Sequence, residues 1–138
     1  MQNMSAGKTA LGLDNNIGAL ICYVGNLVCA LGLIYSIIVL VTDKVNKLPR
    51  FHAMQSILLS VTYLVVYIIA TIFSVVIFAL TAATNSSLIG LLSMVVWLVM
   101  IVVFIGLFIL MIIAAIKAFN GEVYKIPVIG NFADKWSN

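Results

Sequence analysis

The sequence contains sixty-six consecutive residues, from Phe51 to Ile116, that include no Asp, Glu, Lys or Arg. A second stretch without such residues covers Asn15 to Thr42. A helix needs about 20 apolar residues to cross the hydrocarbon core of a bilayer, so both stretches are long enough to cross it. Only 8% of the residues are charged, whereas a soluble domain has about 25%. These features predict an integral membrane protein. Because apolar and polar residues do not alternate along either stretch, the pattern disfavours membrane strands.

The longer stretch exceeds one crossing and is interrupted by a single polar cluster, "TAATNSS" from Thr81 to Ser87, which is typical of a turn. A further break would have to lie at Gly106, and one glycine is a weak turn signal. We therefore expect an all-α membrane protein with three transmembrane helices in an antiparallel bundle and a short interfacial C-terminal helix. The expected single domain, residues 1–138, consists of a polar N-terminal segment (1–15), transmembrane helices at 16–42, 49–80 and 88–118, and a cytoplasmic interfacial tail (119–138).

The basic residues indicate an orientation. With three crossings, the Asp43–Arg50 loop and the tail lie on one side of the membrane, and the N-terminal segment with Lys8 lies on the other. Because basic loops remain in the cytoplasm, we expect the N-terminus outside and the C-terminus in the cytoplasm. Six basic residues support this assignment: Lys44, Lys47, Arg50, Lys117, Lys125 and Lys135.

The first predicted helix has small residues on one face, at steps of three and four. At about 100° per residue they fall within about 80° of arc. Lipid gives helices no hydrophobic reason to associate, so close packing between small residues has to hold them together. We interpret this seam as the contact with a neighbouring helix. Its members are Gly18, Cys22, Gly25, Cys29, Gly32 and Ser36.

The second predicted helix has a polar stripe within about 100° of arc. In one interpretation the stripe packs against another helix, with hydrogen bonds worth about 0.6 kcal/mol each. In the other it lines a narrow aqueous path or a cleft for lipid headgroups. Ion transport is disfavoured because the three spans have no acidic or basic residue inside the membrane. The stripe consists of His52, Ser56, Ser60, Tyr63, Tyr67, Thr71 and Ser74.

No constellation for catalysis, metal or cofactor binding is present in the sequence. His52 is the single histidine, with no neighbouring acid or nucleophile, and no zinc-ligand spacing occurs. We expect no catalytic residue, no cofactor and no nucleic-acid partner. The tail has one apolar face at Ile129–Trp136, which predicts a short helix on the membrane surface or on a partner protein. The expected interfacial anchors are Lys47, Arg50, Lys117, Lys125 and Trp136.

Two segments carry a family resemblance: "RFHAMQ" at Arg50–Gln55 and "AFNGEVYKIP" at Ala118–Pro127. They resemble a widespread family of small prokaryotic membrane proteins of unknown function, to which some magnetosome membrane proteins are also similar. This family is distantly similar to the twenty-kilodalton component of the chloroplast inner-envelope import channel. The resemblance covers about Asn15 to Gly130. It implies three spans in a prokaryotic plasma (inner) membrane and implies little about activity.

Because both segments lie on the same side in this topology, we expect Phe51, His52 and Gln55 to pack against Tyr124–Pro127. For function, we expect a non-enzymatic scaffold or accessory subunit that associates with itself or with other membrane protein subunits. The alternative is an oligomeric membrane passage or protein-translocation component, with the polar stripe lining the path. An enzyme acting on lipids is a third interpretation. The direction of the stripe separates the first two.

Overall fold

A computed structural model describes residues 6–28 and 31–137, and all regular secondary structure in these residues is helical. Helix α1 covers Asn15–Val24 and continues into one 3₁₀ turn at Gly25–Leu27. Four further helices follow: α2 at Leu31–Thr42, α3 at Lys47–Thr84, α4 at Ser87–Phe119 and α5 at Ile129–Trp136.

The chain divides into two compact units. The terminal region comprises the described residues up to Ser60 and from Leu110 onward, and the hairpin region comprises Val61–Ile109. Helices α3 and α4 each contribute residues to both regions, so this division does not test the prediction of a single domain over residues 1–138.

The prediction of one continuous transmembrane helix at 16–42 is wrong, because the structure has two shorter helices, α1 and α2, in this range. Helices α1 and α2 have 10 and 12 residues, or about 15 and 18 Å of rise, whereas a bilayer core is about 30 Å thick. The chain folds back between them, and their backbones approach so closely that a Cβ built on Gly25 would lie 2.7 Å from the Cα of Gly32. The glycines that predicted a smooth helix face therefore allow a tight helical hairpin, which we call the α1–α2 hairpin.

Hydrogen bonds join the two ends of the α1–α2 hairpin. The backbone N–H of Ala10 donates to Oδ2 of Asp43 over 3.2 Å, and Nδ2 of Asn46 donates to the carbonyl oxygen of Lys8 over 2.9 Å. Nδ2 of Asn15 donates to Oδ1 of Asn46 over 3.2 Å. Residues in direct contact cannot lie on opposite sides of a core about 30 Å thick. The expectation that the N-terminal segment and the Asp43–Arg50 loop face opposite compartments is therefore also wrong.

Helices α3 and α4 are long and apolar enough to cross a membrane by length and composition. Only 11% of the most apolar part of α3 and 17% of that of α4 is buried, unlike the core helices of a soluble protein. The turn between them is shorter than the predicted Thr81–Ser87, because α3 continues to Thr84. The hydroxyls of Thr81 and Thr84 donate to carbonyl oxygens four residues earlier in α3, over 2.8 and 2.7 Å, and so satisfy themselves within the helix.

The tail begins with a Schellman turn. Gly121 has φ 72°, and the N–H groups of Gly121 and Glu122 donate to the carbonyl oxygens of Ala118 and Lys117 over 3.0 and 2.9 Å. Helix α4 ends at Phe119, one residue beyond the predicted end at residue 118, and α5 coincides with the predicted tail helix. Within α5, Ala133 is fully buried while Phe132 and Trp136 are exposed with their ring centroids 5.6 Å apart.

Candidate functional site

Polar side chains form a buried cluster in the terminal region, where the start of α3 meets α1 and the tail. The side chains of Tyr23, His52, Gln55 and Ser56 are all 0% exposed. Buried polar groups are costly unless they are hydrogen-bonded. The partners of each group therefore determine what this cluster can do.

His52 uses both of its ring nitrogens. Nε2 lies 3.0 Å from the carbonyl oxygen of Glu122 in the tail, and Nδ1 lies 3.0 Å from the hydroxyl of Tyr23 in α1. A carbonyl oxygen only accepts, so the proton is assigned to Nε2, and Nδ1 accepts from the Tyr23 hydroxyl. A single histidine thus links α3 to both α1 and the tail.

Gln55 lies one turn further along α3 and makes three hydrogen bonds. Its Nε2 donates to the Tyr23 hydroxyl over 2.9 Å and to the carbonyl oxygen of Tyr124 over 3.1 Å. Its Oε1 accepts from the backbone N–H of Ile126 over 3.2 Å. Gln55 therefore binds the backbone of the tail on both sides of Lys125. The expected contact of Gln55 with Tyr124–Pro127 is confirmed, and it uses the tail's backbone rather than the Tyr124 ring. We call the combination of Tyr23, His52, Gln55 and the tail backbone the latch.

A second set of hydrogen bonds lies beside the latch. Nδ2 of Asn26 donates to the hydroxyl oxygens of Ser56 and Ser60 over 2.9 and 3.3 Å. The Ser56 hydroxyl itself donates to the carbonyl oxygen of Cys22 over 2.5 Å. These bonds fasten the tip of the α1–α2 hairpin to α3.

The loop before α3 is held by Asp43 and Arg50. Oδ1 of Asp43 accepts the backbone N–H of Asn46 over 3.0 Å. Burial acts to raise the pKa of Asp43, but the hydrogen bonds from Asn46, Ala10 and Val45 outweigh it and hold the pKa below its ordinary value. Arg50 donates to the carbonyl oxygens of Asp43 and Ser137 over 2.7 and 2.9 Å. It thereby joins the loop to the end of α5.

The polar side chains of the latch are occupied by hydrogen bonds to one another and to the tail. Each polar side-chain atom of Tyr23, His52 and Gln55 has a hydrogen-bond partner within the chain. A general base needs a nitrogen free to face a substrate, and both nitrogens of His52 are occupied. Within residues 6–28 and 31–137, no group of three or more His, Cys, Asp or Glu side chains could hold a metal ion. The geometry therefore supports a fastening role for these residues.

The profile of the magnetosome magnetite crystal formation protein family matches residues 14–133, which is most of the chain. The chain belongs to this family. Among its relatives are two membrane proteins of Methanocaldococcus jannaschii. UPF0132 membrane protein MJ1443 is 33% identical over 95% of this chain and 96% of its own length. UPF0132 membrane protein MJ1527 is 35% identical over 92% of this chain and 73% of its own length. No solved structure matches.

Membership in the magnetosome magnetite crystal formation family, with these relatives, supports the expected small prokaryotic membrane-protein family and a membrane location. The comparisons give no support to the more distant similarity to the chloroplast import component. Both segments that carried the resemblance contribute to the latch, one through His52 and Gln55 and the other through the backbone of Glu122, Tyr124 and Ile126.

The small-residue seam is folded upon itself. Five of its members lie in described residues, on both arms of the α1–α2 hairpin, and Cys29 lies outside them. A Cβ on Gly32 would lie 2.5 Å from the backbone nitrogen of Asn26 and 2.6 Å from the carbonyl oxygen of Cys22. The seam predicted to face a neighbouring helix is thus an internal contact. Regular spacing alone could not distinguish a straight helix from two short ones.

The polar stripe divides between the two regions. In the terminal region, His52 and Ser56 are buried and Ser60 is half-buried, and their hydrogen bonds support the packing interpretation. In the hairpin region, Thr71 and Ser74 donate to carbonyl oxygens of their own helix over 2.9 and 2.7 Å. Two tyrosines complete the stripe there.

Tyr63 stacks on Phe104 with ring centroids 6.0 Å apart, whereas Tyr67 is 62% exposed. The two tyrosines therefore have different surroundings, although both belong to the same predicted stripe.

The predicted anchors also differ among themselves. Lys117 pairs with Glu122 over 2.9 Å, and Lys125 pairs with Asp134 over 2.8 Å. Arg50 binds backbone carbonyl oxygens, as described above. The other two predicted anchors, Lys47 and Trp136, are exposed.

Three residues of this site were missed by the sequence analysis. Tyr23, Asp43 and Asn46 each bridge two or more segments. A tyrosine in an apolar stretch signals a buried hydroxyl partner, and Asp followed three residues later by Asn before a helix signals a capped turn. Both signals were present but could not name the distant partners.

Proposed function

We propose that this protein is a non-enzymatic membrane scaffold or accessory subunit with two membrane crossings and both termini in the cytoplasm. One observation carries the proposal: the buried side chains of Tyr23, His52, Gln55 and Ser56 fasten the chain to itself, while the α3–α4 hairpin exposes an apolar surface that includes Tyr67, which is 62% exposed and whose hydroxyl has no hydrogen-bond partner among residues 6–28 and 31–137. Fastening needs no substrate, and an exposed surface of this kind serves association.

The proposed topology follows from the contacts between the ends of the α1–α2 hairpin. If this hairpin re-enters on one side, only α3 and α4 cross. All seven basic residues then lie on one side, and the short turn at residues 85–86 lies on the other. This bias is stronger than the six against one that three crossings would give, and basic segments remain in the cytoplasm.

Labelling with a membrane-impermeant thiol reagent on intact cells tests the topology. In a background with Cys22→Ser and Cys29→Ser, we expect Ser86→Cys to react, and Lys8→Cys and Lys135→Cys to react only after the cells are opened. Labelling of Lys8→Cys on intact cells would refute the two-crossing topology.

Self-association is supported by Tyr67. It stands at the middle of the uncharged part of α3, residues 51–84, sixteen residues from the first of these and seventeen from the last. That is about 24 Å of helix in either direction, which is beyond the reach of a tyrosine side chain. A hydroxyl without a partner is costly in hydrocarbon.

A second copy of the chain offers a fitting partner. A tyrosine hydroxyl is both donor and acceptor, so two Tyr67 side chains related by a two-fold axis satisfy each other. In such a symmetric contact the same surface serves on both copies. We therefore place the self-association surface on the Tyr67 face of α3.

Disulfide cross-linking in native membranes tests this surface. In the same Cys22→Ser and Cys29→Ser background, Tyr67→Cys should form a covalent dimer under mild oxidation. The matched control is Val65→Cys, which is also exposed and lies about 160° away around the helix at nearly the same depth. Equal cross-linking of both variants, or of neither, would contradict the assignment.

The passage component remains the alternative, and one observation favours it. A groove of about 300 Å³ in the hairpin region is lined by the hydroxyl residues Ser74, Thr81 and Ser93, by Gly90, and by the apolar side chains of Ile77, Phe78, Val96 and Trp97. If it carries water, Ser74→Cys and Ser93→Cys in the same background should react with a small aqueous thiol reagent at rates near that of Ser86→Cys. Protection of both from the reagent would leave the scaffold as the supported function.

A further inference from the structure

A basic pocket of about 340 Å³ lies in the terminal region, beside the start of α3. It is lined by Lys44, Val45, Lys47, Arg50 and Ser137. Lys44 and Lys47 are exposed and Arg50 is half-buried, so three of the five lining residues carry a cationic group. The latch does not include this pocket.

In the part of the chain that the structure describes, no acidic side chain forms an ion pair with the cations of this pocket. The two ion pairs described within residues 6–28 and 31–137 involve Lys117 and Lys125 instead. The nearest acid along the chain, Asp43, gives Arg50 its backbone carbonyl oxygen, while its carboxylate accepts from Ala10 and Asn46. Carbonyl oxygens position a guanidinium without cancelling its charge, so the pocket keeps its attraction for an anion.

Arg50 is held in place before any ligand arrives. Its Nε donates to the carbonyl oxygen of Ser137 over 2.9 Å, and one Nη donates to those of Asp43 and Leu40 over 2.7 and 3.2 Å. Binding therefore does not have to immobilise this side chain, which lowers the entropic cost of recognition. Guanidinium and ammonium groups together suit the oxygens of a phosphate.

The surroundings of the pocket indicate where that phosphate comes from. Val45, between the two lysines, is 89% exposed, and Val41 at the end of α2 is 65% exposed. Trp136, next to Ser137, is exposed as well. An exposed apolar side chain between basic groups, such as Val45 here, is typical of a surface that lies at the boundary between headgroups and hydrocarbon.

We propose that this pocket binds the phosphate of an anionic phospholipid, with Lys44, Lys47 and Arg50 holding the headgroup and Val45 entering the acyl layer. The site goes beyond the proposed scaffold function and does not depend on self-association. A soluble phosphate would use the same three cations but gain nothing from Val45. The lipid therefore binds more tightly than the free ion.

Binding of short-chain phospholipids to the detergent-purified full chain tests the proposal. We expect a short-chain phosphatidylglycerol to bind, with phosphatidylcholine of the same chain length and inorganic phosphate each at least tenfold weaker. Each basic residue near an anionic membrane surface contributes about fivefold in affinity. Lys44→Gln or Lys47→Gln should thus weaken phosphatidylglycerol binding about fivefold, and the double variant about twenty-five-fold.

Lys135→Gln is the matched control, because it removes the same charge from the terminal region without lining the pocket. It should change the affinity less than twofold. The two pocket lysines are exposed, so their variants should keep the wild-type circular dichroism spectrum. Arg50 is left unchanged because it also holds the fold. Equal weakening by Lys135→Gln, or equal affinity for phosphatidylcholine or inorganic phosphate, would overturn the proposal.

Val45→Ser separates the two sources of phosphate further. It should weaken binding of the short-chain phosphatidylglycerol but leave the weak binding of inorganic phosphate unchanged. A Val45→Ser variant with wild-type affinity for the lipid would count against insertion of this residue.

Discussion

The terminal region and the hairpin region solve the burial of polar groups in opposite ways. In the terminal region, side chains bond over long sequence separations, as His52 does with Tyr23 and with the carbonyl oxygen of Glu122. In the hairpin region, the hydroxyls of Thr71 and Ser74 bond to carbonyl oxygens of their own helix. All seven basic and four acidic residues belong to the terminal region.

This difference indicates which part of the chain requires particular residues in order to fold. Long-range hydrogen bonds demand particular partners, and truncating one partner leaves the other buried and unpaired. Hydroxyls that bond within their own helix impose no such demand, because lipid accepts nearly any apolar neighbour. Substitutions should therefore be much more costly in the terminal region than matched substitutions in the hairpin region.

The largest effect is expected for Gly32→Ala. The added Cβ would lie 2.5 and 2.6 Å from backbone atoms of Asn26 and Cys22, and backbone atoms cannot move aside as a flexible side chain would. We expect a loss of about 3 kcal/mol in the free energy of unfolding, measured by denaturant titration in micelles.

The matched control for Gly32→Ala is Gly106→Ala in the hairpin region, where nothing lies within 4 Å of the added Cβ. Its stability should stay within about 0.5 kcal/mol of the wild type. Similar losses of unfolding free energy in the two variants would contradict the claim that substitutions are more costly in the terminal region.

A somewhat smaller effect is expected for Gln55→Leu. The substitution leaves the Ile126 N–H and the Tyr124 carbonyl oxygen without their side-chain partner. We expect destabilisation by about 2 kcal/mol and faster amide hydrogen exchange at Ile126. Thr71→Val is the matched hairpin variant and should change stability by less than about 0.5 kcal/mol. An unchanged exchange rate at Ile126 would show that Gln55 does not hold the tail.

Tyr23→Phe should cost about 1 kcal/mol, because it removes one hydroxyl shared by His52 and Gln55. A double-mutant cycle with Gln55→Leu should be non-additive, since the two residues are joined by one hydrogen bond. In the hairpin region, Tyr67→Phe should leave the stability of the detergent-solubilised monomer unchanged. Strictly additive effects of the Tyr23 and Gln55 substitutions would mean that the hydrogen bond between these two residues does not contribute to the stability of the latch.

Much of this architecture was accessible from the sequence, and the missing part has a physical cause. The ends of α3 and α4 differ from the predicted 49–80 and 88–118 by at most four residues, because their apolar stretches are long and their turn is polar. The helix stop at Gly121 and the contact of Gln55 with the tail were also predictable, since each depends on local chemistry or on segments placed on one side.

The α1–α2 hairpin escaped prediction because hydropathy does not record direction. Residues 16–42 are as apolar as a crossing helix, and the seam at Gly25 and Gly32 has helical spacing whether the chain runs straight or folds back. The break depends on distant partners, among them Ser56 for Asn26 and Asp43 for Ala10. The sequence does not indicate which distant residues form such pairs. For the same reason, the prediction that the N-terminal segment lies on the other side of the membrane from the Asp43–Arg50 loop was wrong.

The smallest effect is expected from titration of Asp43, and it sharpens the contrast because the hairpin region has no charged residue. Hydrogen bonds hold the pKa of Asp43 below its ordinary value in the folded protein, despite burial. The carboxylate therefore stabilises the fold fully above the ordinary pKa of about 3.9. This contribution is lost as the pH falls through the lower folded pKa.

Comparing the wild type with Asp43→Asn between pH 6 and pH 3 measures this contribution. The wild type should be more stable by a constant margin above about pH 5, and the margin should narrow below about pH 4 as the carboxylate becomes protonated. Thr81→Val serves as the hairpin control, with a margin independent of pH. A margin for Asp43→Asn that stays constant down to pH 3 would mean that the charge of Asp43 does not hold the N-terminal segment against the loop. An uncharged acceptor at position 43 would then be sufficient for the hydrogen bond from the Ala10 N–H.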